Sequence, residues 1–458
     1  MNPGSSRSRA LRGIALTIVA LGIVVPALVA PGGRSKPVPP GRREVVFWHF
    51  WGGRDRAIVE GIVDRFNASQ TKHFVRAVAM PGANLDLKFF LSVTGGDPPD
   101  LMNQDDPVVA DWAIRGALTP LDEMASPAEI AALENWLFPA ARSLGSYQGR
   151  LHALCNGLDV RALYYDQNVL EQFGREPPET IEALDALARL IAPPGGDKRR
   201  RRYGYVPDSR RLWAWGIVFG GRFYDPATGR VTADSEPVVR ALRWMASYSR
   251  LYGADALLAF RQGEQALTGA AFPLLEGRYA MLMDGQWRVR EIEEAVASAK
   301  VRGREVPRIG VVPLPRFKDG PTDAGWVNGN FFVVPRGCKN SEGAWQFMKF
   351  WAGFGGHETE AARACVAGGW IPASAEVVAQ DVFQRYLKDH PEFATFVCLA
   401  ASENQIPWPA IPVARFYDDQ LRKAAMAAMY EGADPRKVLE EATRRVQQRL
   451  EEVLQHER

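Results

Sequence analysis

The sequence lacks most of the motifs that mark an enzyme or a metal protein. Its 458 residues include four cysteines, which are far apart and form no CxxC pair, and six scattered histidines. The residue spacing that metal sites require is therefore absent. There is also no GxSxG, no HExxH, no phosphate-binding loop and no Rossmann glycine fingerprint. We therefore expect no metal site, no cofactor and no ATP hydrolysis by this chain.

The spacing of the four cysteines does not indicate a disulfide pairing. An oxidising compartment would allow one disulfide among them, but we expect buried thiols. These residues are Cys155, Cys338, Cys365 and Cys398.

Acidic residues are missing from the first 43 positions, which hold seven of the 56 basic residues. The rest of the chain has 49 basic residues against 53 acidic ones. A body with this slightly negative balance gives no electrostatic reason to expect nucleic acid as a partner.

The beginning of the chain has the pattern of an export segment. Three arginines precede an apolar run of 18 residues, 13–30, as they do in secretory signal peptides. The run is also just long enough to span a bilayer, so a retained membrane anchor is the alternative. Pro26, near the end of the run, favours the signal peptide. Either segment places the body in the periplasm or elsewhere outside the cytoplasmic membrane, behind a Pro/Gly-rich linker at 31–43.

After the linker, strands and helices are predicted in alternation. "VVFWHF", "HFVRAVAM" and "DLMNQD" read as strands, and the segments between them, with Ile58, Ile62 and Phe66 on one face of the first, read as helices. This order predicts parallel strands in an open α/β sheet, in which ligands bind beyond the carboxyl ends of the strands. The aromatic cluster 47–51 and the pair Asp105 and Asp106 lie at that edge.

The alternation continues through the rest of the body. "RLHALCNGLDVRALYYD" predicts two short strands around Gly157, and "TIEALDALARLI" predicts an amphipathic helix. "EGRYAMLMDGQWRV" reads as a strand followed by a glycine turn, and "RIGVVPLP" and "GNFFVVP" read as further strands. A helix capped by Asp434, with Pro435 in its first turn, closes the chain.

Tryptophan is abundant, with 13 residues in the chain. A sugar ring offers an apolar face to aromatic rings and a hydroxyl edge to carboxylates, amides and arginine. Any single tryptophan can equally serve ordinary packing, but as a set those beside glycines or at strand ends favour a carbohydrate cleft. That set is Trp48, Trp51, Trp213, Trp215, Trp287, Trp326 and Trp370. The tryptophans inside helical patterns are assigned to packing: Trp112, Trp136, Trp244, Trp345 and Trp351.

Several stretches resemble the extracellular solute-binding proteins of ABC importers, in their sugar-binding, maltose-binding-protein-like group. The stretches are "VVFWHFWGG…VDRFNAS", "GGDPPDLMNQDDPVVADWAIRGALTPLDEM", "GLDVRALYYDQNVLEQFGREPPETIEALDALARLI", "EGRYAMLMDGQWRV", "GVVPLP…GWVNGNFFVVPRGCKNSEGAWQFMKFWAG" and "GGWIPASAEV". They cover most of residues 44 to about 375 in the order that the family shows. No single stretch identifies the family by itself, but all six stretches in the family's order do.

The resemblance implies a type II periplasmic-binding-protein fold. Its two α/β lobes would contain open mixed sheets with flanking helices, joined by crossover strands, and the ligand cleft would lie between the lobes. By the order of the matching stretches, the first lobe would comprise 44–152 and 284–337. The second would comprise 153–283 and 338–458.

The resemblance also implies a receptor and not an enzyme. A monomer would clasp a carbohydrate, presumed an oligosaccharide, and deliver it to an ABC permease in the membrane. Asp159 falls where the family has a carboxylate that binds sugar hydroxyls, and Trp287 falls in a turn that offers a stacking ring. The full set of candidate ligand-binding residues is His49, Trp51, Gln104, Asp105, Asp106, Asp159, Arg161, Trp213, Asp284, Trp287, Trp326, Asn328 and Trp370.

Other functions stay open at this point. An exported glycosidase or lyase would need two carboxylates about 5–10 Å apart across the cleft, and Asp105 with Asp159 is the pair to test. The adjacent Trp48 and His49 resemble members that bind glycerol phosphate diesters, so a receptor for such a ligand is a second alternative. A receptor that reports to a sensor, with no permease, is a third.

Overall fold

The structure is a computed structural model that describes residues 37–80, 85–105, 107–193, 202–264 and 273–455. Residues from Arg43 onward form one compact unit, separate from the unit that precedes them. The strands are β1 (Arg43–His49), β2 (His73–Ala79), β3 (Leu101–Asp105), β4 (Ser146–Tyr147), β5 (Arg150–Leu151), β6 (Ala153–Asp166), β7 (Tyr224–Asp225), β8 (Arg230–Val231), β9 (Met281–Gly285), β10 (Ile309–Val312), β11 (Gly325–Val333) and β12 (Gln405–Ile406).

Helices flank these strands over the whole unit. In chain order they are α1 (Gly53–Ser69), α2 (Leu85–Thr94), α3 (Val109–Ile114), α4 (Pro127–Trp136), α5 (Pro139–Gly145), α6 (Gln167–Gln172), α7 (Ile181–Ile191), α8 (Leu212–Val218), α9 (Glu236–Tyr252), α10 (Ala254–Glu264), α11 (Trp287–Val301), α12 (Ser341–Ala352), α13 (Glu358–Gly368), α14 (Ala375–Val378), α15 (Asp381–Asp389), α16 (Pro391–Ala400), α17 (Ala414–Tyr430) and α18 (Pro435–Gln455). Short 3-10 turns occupy Leu121–Glu123 and Ser209–Arg211.

The first sheet begins with the predicted β-α-β-α-β unit. β1 pairs in parallel with β2 on one side and with β3 on the other, which confirms the parallel arrangement. Val45, Phe47 and His49 alternate as buried residues along β1, as expected for a strand with one face in the core. Phe347 of α12 covers that face, with its ring centroid 5.4 Å from that of Phe47.

Strand β6 links the two parts of an eight-stranded sheet, which we call the first and the second sheet. Its residues 153–160 pair with β11, which in turn pairs antiparallel with β3 of the first sheet. Its residues 161–166 pair with β9 and β10 in a second sheet. The result is a mixed α/β architecture with two lobes joined by a crossover strand, which confirms the predicted fold class.

The helices of the second lobe pack around an aromatic core. α9 packs against α8 and α17, and α17 packs against the C-terminal α18. The Trp215 and Trp244 rings meet edge to face at 4.7 Å, and the Trp244 indole donates to Asp185. Asp434 accepts a hydrogen bond from Lys437 N at 3.0 Å, so the predicted cap of the last helix is confirmed.

The lobe boundaries stay a prediction, but three elements bear on them. α12 packs against β1, β2 and β6, although the prediction groups 341–352 with the second lobe. β9 and β10 pair with β6 in the second sheet, although the prediction groups 284–285 and 309–312 with the first lobe. These pairings put β9, and α11 that follows it directly, with the second lobe, and order along the chain does not reveal which sheet receives them.

Two other expectations concern the membrane and the cysteines. Within the described residues no helix is long and apolar enough to cross a membrane, and the predicted signal or anchor at 13–30 lies outside those residues. All four cysteines are free thiols. Cys155 and Cys365 are buried as expected and Cys338 is half-buried, but Cys398 is exposed, so the expectation of a buried thiol is wrong there.

A buried carboxylate joins the start of the first sheet to the segment after β11. Asp100 accepts hydrogen bonds from the backbone amides of Val46 at 2.8 Å, Lys339 at 2.8 Å and Asn340 at 2.7 Å. Asp97, in the same turn, makes only an exposed ion pair with Lys339.

Removing this carboxylate tests its role in the fold. We expect Asp100→Ala to lower the free energy of unfolding by about 3 kcal/mol, because three buried amides lose their acceptor. Urea unfolding followed by tryptophan fluorescence measures the change. The matched control is Asp97→Ala, for which we expect little change, and an equal loss in both variants would contradict the assignment.

Candidate functional site

The carboxyl edge of the first sheet opens into a cavity between the lobes. The cavity has a volume of about 540 Å³ and is lined by Phe50, Leu85, Asp86, Leu87, Gln104, Asp105 and Arg415. Phe50 follows β1, Gln104 and Asp105 end β3, and residues 85–87 begin α2. Arg415 belongs to α17 of the second lobe and pairs with Asp86. The cavity is therefore closed by both lobes, as the sheet topology predicts.

The crossover strands form the floor beside this cavity. Asp105 lies opposite Asn330, and Asn328 lies opposite Asp159. Because paired residues share a face of the sheet and alternate residues return to it, these four side chains belong to one face. Two aspartates and two asparagines offer the acceptors and donors that sugar hydroxyls need.

Gln286 fixes the position of Asp159. Its side-chain amide donates to the Asp159 carboxylate at 2.6 Å and to Leu158 O at 3.2 Å. Its amide oxygen accepts from Val160 N at 3.2 Å. Gln286 is fully buried, so this three-bond arrangement holds one carboxylate oxygen against the strand. The remaining lone pairs of Asp159 are available to a ligand.

The two aspartates of the floor have raised pKa values. Desolvation by the surrounding protein, together with the charge of Asp159, raises the pKa of Asp105 to about 6. The Asp105 side chain still reaches solvent in the cleft. Burial raises the pKa of Asp159, while Arg161, Gln286 and Arg211 oppose the rise. Each carboxylate is thus harder to ionise when the other is charged.

Arginines cover the tryptophans next to the floor. The Arg161 guanidinium lies 4.6 Å from the ring centroid of Trp287 and 4.6 Å from that of Trp326. Arg211 lies 5.7 Å from the Trp326 ring. These cation–π contacts hold the guanidinium groups in place. Trp287 is half-buried, and the indole N–H of Trp326 has no partner among the described residues.

Residues 52–356 match the profile of the family described as bacterial extracellular solute-binding protein. The chain belongs to this family.

A curated protein and several solved structures are similar to this chain. The alpha-glucosides-binding periplasmic protein AglE of Rhizobium meliloti (strain 1021) is 27% identical over 193 residues, which are 39% of this chain and 36% of that protein, so the match spans about a third of its length. CpMnBP1 with mannotriose bound superposes with a TM-score of 0.75 at 23% identity, over 88% of this chain and 99% of that one. The GacH receptor of Streptomyces glaucescens gives a TM-score of 0.70 at 20% identity, over 90% and 99%. The MalE domain from Bdellovibrio bacteriovorus, bound to maltotriose, gives 0.68 at 17%, over 89% and 100%. At such identities the superpositions show the fold.

Trp51, near the start of this solute-binding protein, is packed in a cluster of tryptophans. The Trp51 ring lies 5.6 Å from Trp351 and 5.5 Å from Trp370, and each of the three is at least nine-tenths buried. Packing, the alternative considered for each tryptophan, describes Trp51 and Trp370 in this structure. Of the residues that follow β1, Trp51 thus belongs to the packed core, whereas Phe50 lines the cavity.

Other candidates are also found in packed positions. His49 is buried, and burial lowers its pKa to about 4, so its ring is neutral. Trp213 is stacked between Phe223 at 4.1 Å and Trp408 at 3.9 Å.

The polar candidates are distributed around the cleft. Gln104 donates to Asp86 at 3.0 Å in the first cavity, and Asp284 lies in a second cavity described below. Asp106 lies outside the described residues.

Several residues of the site escaped the sequence analysis. Gln286 stands next to Trp287 in "DGQW", so that turn could have drawn attention to it. Asp86, Arg211 and Arg415 come from three distant segments, and no local pattern indicates that they meet. Among the described residues, no group of histidine, cysteine or acidic side chains could hold a metal ion.

The raised pKa of Asp105 predicts a dependence of stability on pH. Folding favours the protonated carboxyl, so its contribution is present below the unfolded pKa of about 4 and is lost as pH rises through about 6. We expect Asp105→Asn to gain in melting temperature relative to the parent between pH 4 and pH 7. Thermal unfolding of both proteins across that range measures the difference. The exposed Asp389→Asn is the control, and a gain that does not change with pH would contradict the assignment.

Proposed function

We propose that the protein is the extracytoplasmic receptor of an ABC importer, which clasps a carbohydrate between its lobes and delivers it to a membrane permease. The observation that carries the proposal is the cleft floor, where Gln286 fixes Asp159 next to Trp287. The names of AglE, CpMnBP1 and MalE, which refer to alpha-glucosides, mannotriose and maltotriose, support a saccharide of several units.

The chemistry of the floor suits such a ligand. A carboxylate accepts hydrogen bonds from two adjacent hydroxyls, and a charged acceptor makes them stronger than a neutral one would. The indole face of Trp287 offers the apolar surface that a pyranose ring needs. Asn328 and Asn330, on the same face as Asp159, can donate as well as accept.

Contacts between the lobes offer a mechanism for coupling binding to closure. Besides Asp86 with Arg415, Asp55 of α1 pairs with Arg290 of α11 at 2.7 Å, and Arg54 pairs with Glu294. The exposed pair of Arg54 with Glu294 contributes little by itself, and the pair of Asp55 with Arg290 is partly buried. A saccharide that contacts both lobes binds the closed arrangement better and increases its population, which is the change that a permease can recognise.

The proposal includes a location and excludes catalysis. The segment 13–30 exports the chain, and the protein acts as a monomer, either released or held at the membrane by that segment.

Asp105 and Asp159 are the acidic pair on which glycosidase activity would depend, and the raised pKa of Asp105 is the observation that favours such activity. We expect these carboxylates to bind hydroxyls without turnover.

Fluorescence titration tests the proposal. The full chain is titrated with maltotriose, mannotriose and other oligosaccharides while intrinsic tryptophan fluorescence is recorded and products are sought by chromatography. We expect a saturable change, no product, and affinities weakened about 10- to 100-fold by Asp159→Asn and by Trp287→Ala, because each loses a direct ligand contact.

The control is Trp136→Phe, in α4 of the first lobe, where the indole packs on Phe354 at 5.5 Å. We expect this variant to bind as the parent does. Turnover of any saccharide, or undiminished binding by the Asp159 and Trp287 variants, would contradict the proposal.

A further inference from the structure

The second lobe contains a large cavity in which arginine predominates. Its volume is about 720 Å³, within the range of small-molecule sites. Five arginines line it: Arg210, Arg211, Arg261, Arg288 and Arg422. Two aspartates, Asp208 and Asp284, are the acidic residues of its lining.

The cavity adjoins the cleft floor through Arg211. This guanidinium lies over the Trp326 ring, and its charge opposes the rise in the pKa of Asp159. Asp284 belongs to β9, which pairs with β6 directly after Asp159. A ligand that occupies the floor can therefore extend into the cavity.

The aspartates are committed to particular arginines. Asp208 accepts from Arg210 Nη2 at 2.7 Å and from Arg210 Nε at 3.0 Å, and Arg261 lies 4.0 Å from it. Arginine charges hold the pKa of Asp208 below its usual range in spite of its burial.

The other aspartate has a comparable partner. Asp284 accepts from Arg288 Nε at 2.7 Å, and the charges of Arg288 and Arg211 outweigh burial and lower its pKa. Both aspartates are therefore ionised, and each already accepts a close hydrogen bond from a neighbouring arginine.

Arg211 has donors that these contacts do not use. Its side chain is 16% exposed, its distance to Asp284 is 3.9 Å, beyond a hydrogen bond, and its Nε has no partner among the described residues. Arg288 and Arg422 reach further carboxylates, Glu291 and Asp418, outside the lining. A largely buried guanidinium without a bonded acceptor is costly unless an anion arrives.

We propose that the solute is an anionic saccharide whose carboxylate or phosphate group binds Arg211 in this cavity. The planar guanidinium matches either group with two parallel hydrogen bonds. The cation–π contact with Trp326 helps to hold the guanidinium in place, and the exposed Arg210 and Arg422 add positive charge. The inference rests on the proposed function, since it names the class of solute that the same cleft would take.

Paired ligands of equal size test the inference. The full chain is titrated with trigalacturonic acid against maltotriose, and with mannose 6-phosphate against mannose, by isothermal calorimetry at low and high salt. We expect one anionic member to bind at least about 10-fold tighter than its neutral counterpart, with an advantage that shrinks in salt. The arm that shows the preference distinguishes a carboxylate from a phosphate.

Variants of Arg211 locate the contact. We expect Arg211→Gln to abolish the preference, so that the anionic and neutral members of each pair bind alike, and a cooperative thermal unfolding transition shows that the variant folds. Arg211→Lys keeps the positive charge but lacks the planar guanidinium that makes two parallel hydrogen bonds. We therefore expect this variant to retain part of the preference. The exposed Arg222→Gln, in the same lobe, is the control and should behave as the parent.

The contrary outcomes are distinct. Neutral saccharides that bind as tightly as the anionic ones, or a preference that survives Arg211→Gln, would overturn this inference and leave the receptor function intact. Failure of every saccharide, neutral and anionic, to bind would overturn the proposed function together with it.

Discussion

The antiparallel pairing of β6 with β11 is the constraint on which the rest of the molecule depends. A single 14-residue strand supplies an interior strand to the first sheet and continues into the second, so both lobes are built on one backbone segment. The register of that pairing sets Asn328 opposite Asp159. A slip by one residue would turn Asp159 and Arg161 to the other face and abolish the site.

The site combines this rigid floor with walls that come from both lobes. Gln286, directly after β9, is fully buried and holds Asp159 by a hydrogen bond from its side-chain amide. Asp86 and Arg415 meet across the cleft from α2 and α17, and such exposed pairs are weak enough to break and re-form. Rigid crossover strands, flanked by lobes that are joined by weak ion pairs, suit a protein whose lobes move about a fixed binding surface.

Electrostatics distinguishes the two sides of the cleft. Asp105 and Asp159 make the first side acidic, whereas five arginines line the cavity of the second lobe. Trp326 contacts arginines of both groups of residues, since Arg161 beside Asp159 and Arg211 of the cavity lie over its ring. A ligand with hydroxyls at one end and an anionic group at the other would match both sides.

Local sequence patterns predicted the parts of the fold that depend on local physics. The β-α-β-α-β unit followed from apolar periodicity, and the cap at Asp434 followed from residue type. The pattern around Gly157 predicted two short strands, but the structure has one continuous strand, Ala153–Asp166. Gly157 leaves room for Trp370, whose Cβ would lie 3.2 Å from a Cβ added at position 157.

The site was only partly predictable, since it depends on contacts between distant segments. The position of Asp159 came from family resemblance. From the sequence, Trp51 fits either core packing or a ligand contact, and its stacking on Trp351 depends on a segment far along the chain. Arg211 and Arg415 carry no local signal, because their roles arise when α17 and the turn before α8 meet the crossover strands.

The central claim is that a saccharide binds between the lobes and draws them together. Small-angle X-ray scattering of the full chain, with and without an equimolar mixture of maltotriose, mannotriose and trigalacturonic acid, tests it most directly. The account predicts a smaller radius of gyration when the mixture is present, and no such change for Asp159→Asn at the same concentration. A radius that stays the same while calorimetry shows saturated binding would contradict it.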